Sequence, residues 1–415
     1  MSFSVREAAR EAPTRIALVD DDGALTWAEV AARLPPPGAP PVVLTAHARR
    51  ADVLRIWSLL DAGVPFALLH ARWTEAERAA ARRRLEAAAP TAQAVVFTSG
   101  STGRPKGVCL SAAALGAAAE AHARALPWAP GDRWLLAMPL GHVGGLSILT
   151  RALWSRGAVA LGQEGFAPDT FCDDLARLEV TLLSLVPTML DRLLERGIAP
   201  PPRLRAALLG GAACPAELLA RGREAGWPLL PTYGTSETCA QVATQRLEDP
   251  RPEGVGPALP GVSLRIRDDH VEVSGPTLFD GFLDDPTPEG SSPGTWYRTG
   301  DLGRLDADGC LHVLGRSDDR IVSGGENVDP LEVEAALRSH PAVRDACVVG
   351  VPDPRWGQRV AAMIVGDVEP EVLRAHLAPR LAGFKHPRRW ARADALPVAA
   401  SGKVDRRAVR EQLSG

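Results

Sequence analysis

Ten residues, TSGSTGRPKG from Thr98 to Gly107, gather three glycines, four hydroxyl side chains and one lysine directly behind an apolar run. Such a loop suits a polyphosphate, because glycine lets backbone amides approach an anion, hydroxyls donate hydrogen bonds and an ammonium adds charge. The spacing from Gly100 to Lys106 differs from the G-x-x-x-x-G-K-[ST] phosphate loop, so a generic kinase or motor ATPase does not follow from it. The plainer alternative is a flexible glycine and serine linker. Composition argues for the first reading: of 47 basic residues 44 are arginine, and the three lysines are Lys106, Lys385 and Lys403. Where arginine supplies every generic cation, a retained lysine marks a place that needs a compact ammonium on a flexible stem.

The elements that must position these lysines follow from the hydrophobic pattern. VVF (95–97) reads as a strand feeding the loop, and the alanine-rich stretch behind it as a helix capped by Ser111. Apolar runs at PVVL (41–44), TLLSLV (181–186) and AALLGG (206–211) alternate with helical segments, the pattern of parallel sheets covered by helices. Capping boxes from Thr26 to Glu29 and from Thr74 to Glu77 mark two helix starts. From about residue 255 the texture turns to short β-like pieces, LRIR and VEVSG. After GRSDDRIVSGGEN a last block carries a helix, DPLEVEAALRSH, and the strands DACVVGV and VAAMIV. The expected fold is α/β, with a large N-terminal domain (1–317) of helix-covered sheets with a β-rich subregion. A small α+β C-terminal domain (318–415) follows, joined by a hinge.

Composition excludes several classes. At 415 residues the chain calls for two or more domains, and 46% apolar residues with a net charge of -3 describe an ordinary globular protein. Acidic and basic residues are interspersed, which argues against nucleic acid, and the run Arg82, Arg83, Arg84 reads as the solvated face of a helix. No stretch reaches ~18 uninterrupted apolar residues, and MSFSVREAAREAP lacks the apolar core of a signal peptide. No membrane insertion and a cytoplasmic location are therefore expected. The six cysteines lie far apart with no C-x-x-C pair, which points to free buried thiols rather than disulfides or zinc.

Five segments, TSGSTGRPKG at 98, YGTSET at 233, YRTGDLG at 297, GRSDDRIVSGGEN at 315 and SGKVDRR at 401, resemble the adenylate-forming (AMP-binding) superfamily. That superfamily holds acyl-CoA synthetases, firefly luciferases and nonribosomal peptide adenylation domains, and the resemblance spans most of the chain. It implies an acid-thiol ligase using ATP, Mg2+ and coenzyme A, which forms an acyl-adenylate with release of pyrophosphate and then a thioester. By the same resemblance, Thr98, Ser99, Gly100, Ser101, Thr102, Gly103 and Lys106 embrace the β and γ phosphates. Tyr233 lies near adenine with Gly234 and Thr235 beside it, Ser236 reaches the α-phosphate, and Glu237 holds Mg2+, a hard cation that prefers carboxylate oxygen. Gly210, Gly211 and Ala212 in LLGGAAC line the adenine end, with Gly210 next to the acid. Asp301 accepts from the ribose hydroxyls and Arg316 contacts ribose or phosphate; taken alone they read as a turn aspartate and a surface arginine. Asp318 falls at the hinge, which lets the last domain alternate between two poses, and Gly324 and Gly325 leave room for the pantetheine arm. Lys403 bridges the acid's carboxylate and the α-phosphate, where a placed ammonium stabilises concentrated negative charge. Lys385 is given no role beyond a contact with a CoA phosphate.

Within the superfamily the chain is most similar to the o-succinylbenzoate:CoA ligases of menaquinone biosynthesis, on YGTSETCAQV, LVPTMLDRLL and LLGGAACP. In PLGHVGGLS the resemblance sets His142 beside the acyl carboxylate, with Gly144 shaping the pocket, although a lone histidine in an apolar stretch is commonly a core residue. Departures from the family pattern are Gly141 and Asp329, where an aromatic is common, and Thr235, where methionine is. The implied partner is a small-molecule carboxylic acid, an aromatic dicarboxylate whose second carboxylate needs a cation or hydrogen-bond donor that the sequence leaves unplaced. Another aryl or short acyl acid, or a carrier protein in place of CoA, are the alternatives; no carrier domain follows Gly415. A catalytically dead relative is a fourth reading, against which Lys106, Glu237, Asp301, Arg316 and Lys403 stand together. A homodimer is left open.

Overall fold

The computed structural model describes residues 2–40, 42–98, 105–285, 294–323, 326–399 and 403–414. It divides into two compact units, the first made of Met1–Ile266, Glu272–Arg298 and Leu305–His312, the second of Arg267–Val271, Thr299–Arg304 and Val313–Gly415.

In the first unit the strands Val42–Thr45, Phe66–Leu69 and Ala94–Thr98 run parallel, and Lys106–Leu110 turns back antiparallel beside the last of them. Parallel neighbours need crossovers, and the helices Arg50–Asp61 and Glu75–Ala88 supply them. Gly281–Phe282 closes this five-stranded sheet at the far side of Lys106–Leu110. A second, eight-stranded sheet includes Leu182–Leu185, Ala206–Leu209 and Leu229–Thr235 as parallel neighbours, with Ala240–Thr244 antiparallel at its edge. AALL is apolar and buried throughout and LLSL is so but for Ser184, whose hydroxyl accepts from the Trp134 indole, as strands covered on both faces require. One buried cluster joins Val96 and Val108 of the smaller sheet to Leu18, Val159 and Leu182 of the larger, with Trp27, Trp57 and Trp134 among its fully buried members.

Local chemistry starts the helices where the sequence places them. Thr26 and Thr74 form complete capping boxes with Glu29 and Glu77, and Ser111 accepts the amide of Ala114 to open the helix Ala112–Ala125. LRIR and VEVSG form the strands Ser263–Arg267 and His270–Ser274 of a four-stranded sheet completed by Tyr297–Leu305 and Leu311–Arg316. Two expectations are corrected. Arg84 is not simply solvated, because it ion-pairs with Asp284 and donates to the carbonyl of Pro105 at 2.6 Å. All six cysteines are free, but Cys172 and Cys214 are only half-buried.

The second unit is built on the long antiparallel pair Asp345–Asp353 and Gly357–Val365, with Arg389–Ala393 added in parallel. Alternate residues feed two cores: Val348, Val360, Ala362 and Ile364 pack with the helix Pro330–Arg338, while Val349, Ala361, Met363 and Val365 pack with the helix Arg406–Ser414. The period of two along a strand explains why these runs are continuously apolar. No described helix is long and apolar enough to cross a membrane.

Candidate active site

The two ends of the glycine-rich loop are held together by the hairpin that flanks it, in which Thr98 pairs with Lys106. Ser99, Gly100, Ser101, Thr102 and Gly103 lie outside the described residues, as do Gly324 and Gly325. Lys106 is exposed, with its Nζ 5.2 Å from the centre of the Phe282 ring and no ion pair among the described residues. The short turn Ser236–Thr238 packs against the strand that begins at Lys106. Its geometry is fixed by Thr238, which is fully buried and whose Oγ1 accepts the Thr235 amide at 3.0 Å and donates to carbonyls of Thr235 and Ala240. Thr235 thus opens a turn, a local reason for threonine at that position. The carbonyl of Glu237 accepts the Phe279 amide at 2.9 Å, while its half-buried carboxylate meets no hydrogen-bond or ion-pair partner among the described residues. A carboxylate set beside a lysine-bearing strand and left without a partner suits a hard cation.

Close backbone approach governs the neighbouring strand ends. A Cβ at Gly234 would stand 1.5 Å from the carbonyl oxygen of Ala240, and one at Gly210 would stand 2.7 Å from Cγ2 of Thr232. Gly211 adopts φ +79°, a conformation that favours glycine, and Ala212 follows it exposed. Tyr233, buried, precedes Gly234 on the strand Leu229–Thr235. Gly210, Gly211, Tyr233, Ser236 and Glu237 therefore share the C-terminal edge of two adjacent parallel strands, where open α/β sheets gather their ligands.

His142 is the N-cap of the helix Val143–Ser155, its amide bonded to Pro139 and its carbonyl accepting from Gly145 and Leu146. Gly145 rather than Gly144 is sterically fixed: a Cβ there would lie 2.3 Å from the Pro139 oxygen, whereas at Gly144 it would meet Met138 at an ordinary 3.8 Å. Gly141 faces the backbone of His70, which leaves no room for a larger residue. Further along the same helix sits a residue that the sequence reading passed over. Arg151 is only 3% exposed, makes no hydrogen bond or ion pair among the described residues, and has its guanidinium 5.5 Å from the Trp134 ring. Burial alone pushes its pKa down to about 9, a measure of how poorly the charge is accommodated, since arginine stays cationic. Nearby, His122 is fully buried, bonds Gln241 through Nδ1 at 2.9 Å and is held neutral by its burial and by the charge of Arg151. The sequence held only a faint trace of it: VGGLSILTRALWS has arginine as its one charged side chain, which does not by itself tell a buried arginine from an exposed one.

The second unit brings Asp301, Arg316 and Lys403 together. Arg316 donates to Asp301 at 3.2 Å and lies over Gly300, where a Cβ would stand 2.6 Å from its Nη2. Lys403 is an exposed residue, yet protein packed around its ammonium desolvates it and lowers its pKa, with Asp301 acting in the opposite direction and Arg316 adding to the fall. Its backbone carbonyl accepts the Ala399 amide at 2.8 Å, and three residues on Arg406 is clamped by Glu334 at 2.6 and 3.0 Å and by the Val348 carbonyl. Asp318 is exposed in the turn Ser317–Asp319, and Asp319 lies 3.6 Å from Arg406. Lys385 pairs with Glu332 at 2.6 Å. Asp329 accepts the Leu331 amide as a helix N-cap, which accounts for an acid at that position. Back in the first unit, Asp306, Cys310 and His312 form one described group of potential metal ligands. The Asp306 carboxylate there already bonds the Asp308 and Cys310 amides and His312, with Arg251 3.6 Å away, so it closes a turn.

Known proteins resemble this chain in sequence and fold. The AMP-binding enzyme family matches residues 42–283, more than half the chain, and the AMP-binding enzyme C-terminal domain matches 332–403. The chain is 38% identical over 336 residues to a 2-succinylbenzoate–CoA ligase of Bacillus velezensis, covering 77% of this chain and 69% of that protein. Among solved structures, the o-succinylbenzoate CoA synthetase of Bacillus subtilis, in complex with its acyl-adenylate intermediate, superposes with a TM-score of 0.88 at 30% identity, covering 100% of this chain and 98% of that one. The same enzyme with ATP and magnesium superposes at 0.86, again at 30% identity, covering 100% of both chains. A glycine-rich loop held by a hairpin, an unpartnered carboxylate on the adjoining turn and a lysine-bearing terminal unit thus occur in a chain that belongs to the AMP-binding enzyme family.

Proposed function

We propose that the chain is a 2-succinylbenzoate–CoA ligase of menaquinone biosynthesis, working in two steps. A carboxylate oxygen of the acid attacks the α-phosphorus of ATP, the bond to the bridging oxygen breaks, and pyrophosphate leaves. The sulfur of CoA, having lost its proton, then attacks the acyl carbonyl, and AMP departs with the electron pair of the broken bond. In this reading the loop from Thr98 to Lys106 takes the β and γ phosphates, the Gly210–Ala212 segment and Tyr233 to Thr235 take adenine, and Ser236 bonds the α-phosphate. Glu237 holds Mg2+, which offsets phosphate charge when bound. Asp301 and Arg316 take the ribose side, Lys403 stabilises the charge that builds at the reacting phosphorus, and Gly324 and Gly325 pass the pantetheine arm. His142 stands by the acyl carboxylate, flanked by Gly144 and Gly210. The last 98 residues, 318–415, form the mobile domain, with Asp318 as its hinge. Six unpaired cysteines support a reducing compartment, and we place the enzyme in the cytoplasm.

The observation that carries the choice of acid is Arg151, a buried cation with no acidic partner among the described residues, on the helix that His142 caps. Nine residues of helix set its Cα ~14 Å along the axis from that of His142, so an acid whose two carboxylates are only six bonds apart meets both groups only as the arginine stem leans back toward the helix N-terminus. Pyrophosphate release with a panel of acids tests this: 2-succinylbenzoate is expected to exceed benzoate and short monocarboxylates by about 100-fold in kcat/KM, the worth of a charge-assisted pair. Equal turnover of a monocarboxylate would remove 2-succinylbenzoate in favour of another acid.

A further inference from the structure

His70 ends the strand Phe66–Leu69, next to the strand that delivers Thr98. Gly141 is what admits it, since a Cβ there would stand 2.7 Å from Cα of His70 and 3.1 Å from the carbonyl oxygen of Leu69. With the two backbones this close, the imidazoles of His70 and His142 meet edge to face, centroids 4.7 Å apart at 62°. His70 is 4% exposed, and its Nδ1 accepts the amide of Arg72 at 3.0 Å. Burial, and then the charge of Arg72, lower its pKa against a weaker opposing pull from Glu77. The ring is therefore neutral near pH 7, and with Nδ1 accepting, its proton resides on Nε2. That Nε2–H is buried and finds no partner among the described residues. The turn needs only Nδ1, whereas a buried donor left unmade costs free energy that a ligand oxygen would recover.

Resting on the ligase reading above, we propose that His70 is a second imidazole of the acid pocket, holding the His142 ring by its edge and donating Nε2–H to an oxygen of the bound carboxylic acid. Two substitutions separate this from a structural role. In His70→Asn the side-chain oxygen falls where Nδ1 was, keeping the Arg72 bond and removing the second donor. In His70→Gln the amide nitrogen reaches the place of Nε2 and restores it. With the full-length enzyme, the acid KM is expected to rise about tenfold in His70→Asn and to stay within about threefold of wild type in His70→Gln, while KM for ATP and for CoA stays unchanged. An equal rise in both variants, no rise in either, or a matching rise for ATP overturns the proposal. Should His70→Asn fail to fold, His70→Gln decides alone: an acid KM near wild type supports the role and a tenfold rise overturns it. The ligase reading fails separately, when wild type itself does not turn over 2-succinylbenzoate; the variants are then compared with wild type on the acid that it does activate.

Discussion

A single charged side chain in the wrong solvent is a strong statement, and Arg151 makes it. An unpaired buried cation is costly, so removing it relieves the fold, and on the proposed reading it also removes the charge that meets the acid's second carboxylate. Arg151→Met is expected to raise the melting temperature or leave it unchanged, and to lower kcat/KM for 2-succinylbenzoate about 100-fold with little effect on ATP KM. Thermal unfolding and acid titration of pyrophosphate release check both halves; a clear loss of stability with unchanged kinetics would make Arg151 a structural residue. Lys106 and Lys403 could be picked from the sequence because lysine is so scarce in it. Arg151 and His70 could not, because what singles them out is burial together with the absence of a partner, and both are properties of packing. Even Arg151's isolation within an apolar helix gains meaning only once Trp134 and His122 are seen around it.

At the scale of elements, the apolar runs, capping threonines and glycine turns were legible because each is decided within a few residues. The pairing of Gly281–Phe282 with the strand from Lys106, and the ion pair of Arg84 with Asp284, join segments far apart in the chain and left no local mark. Asp132 is a third such case. It precedes the strand Arg133–Leu135, accepts from Thr181 at 2.7 Å and from the Ala129 amide at 2.6 Å, and ion-pairs with Arg205, so it ties together the N-terminal ends of three neighbouring strands of the larger sheet. Burial pushes its carboxyl up, but Arg205, Thr181 and the Ala129 amide outweigh that and hold its pKa below the ordinary 3.8. A depressed aspartate contributes stability that is fully present above its unfolded value and is lost as pH falls through the folded one. Asp132→Asn is expected to cost ~2 kcal/mol at pH 7, less than a fully buried pair because Arg205 keeps some solvent. In denaturant titrations the gap to wild type should close below about pH 4; a gap independent of pH would mean that the charge of Asp132 does not hold these strand ends.

For the molecule as a whole, the chemistry is two steps with different demands, and on the proposed reading the ammonium of Lys403 serves only one of them. Charge concentrates when a carboxylate meets a triphosphate, and there a positioned cation is worth about 10²- to 10³-fold in rate; a thiolate attacking an acyl-adenylate already made has no such need. In the second unit Lys403 has Asp301 and Arg316 beside it and Arg406 clamped three residues later. Asp301 arrives on Thr299–Arg304, which is separated from the terminal block by Leu305–His312 of the first unit, so no linear reading of texture could have shown that it shares a compact unit with Lys403. Lys403→Ala is expected to slow pyrophosphate release at least 100-fold, while CoA thioester formation from supplied acyl-adenylate stays within about tenfold of wild type. Rapid-quench assays of the two half-reactions measure each rate separately. Equal losses in both would mean that Lys403 serves the fold or CoA rather than the reacting phosphorus, and wild-type adenylation by the variant would transfer the role to another cation, for which Lys106 is the next candidate.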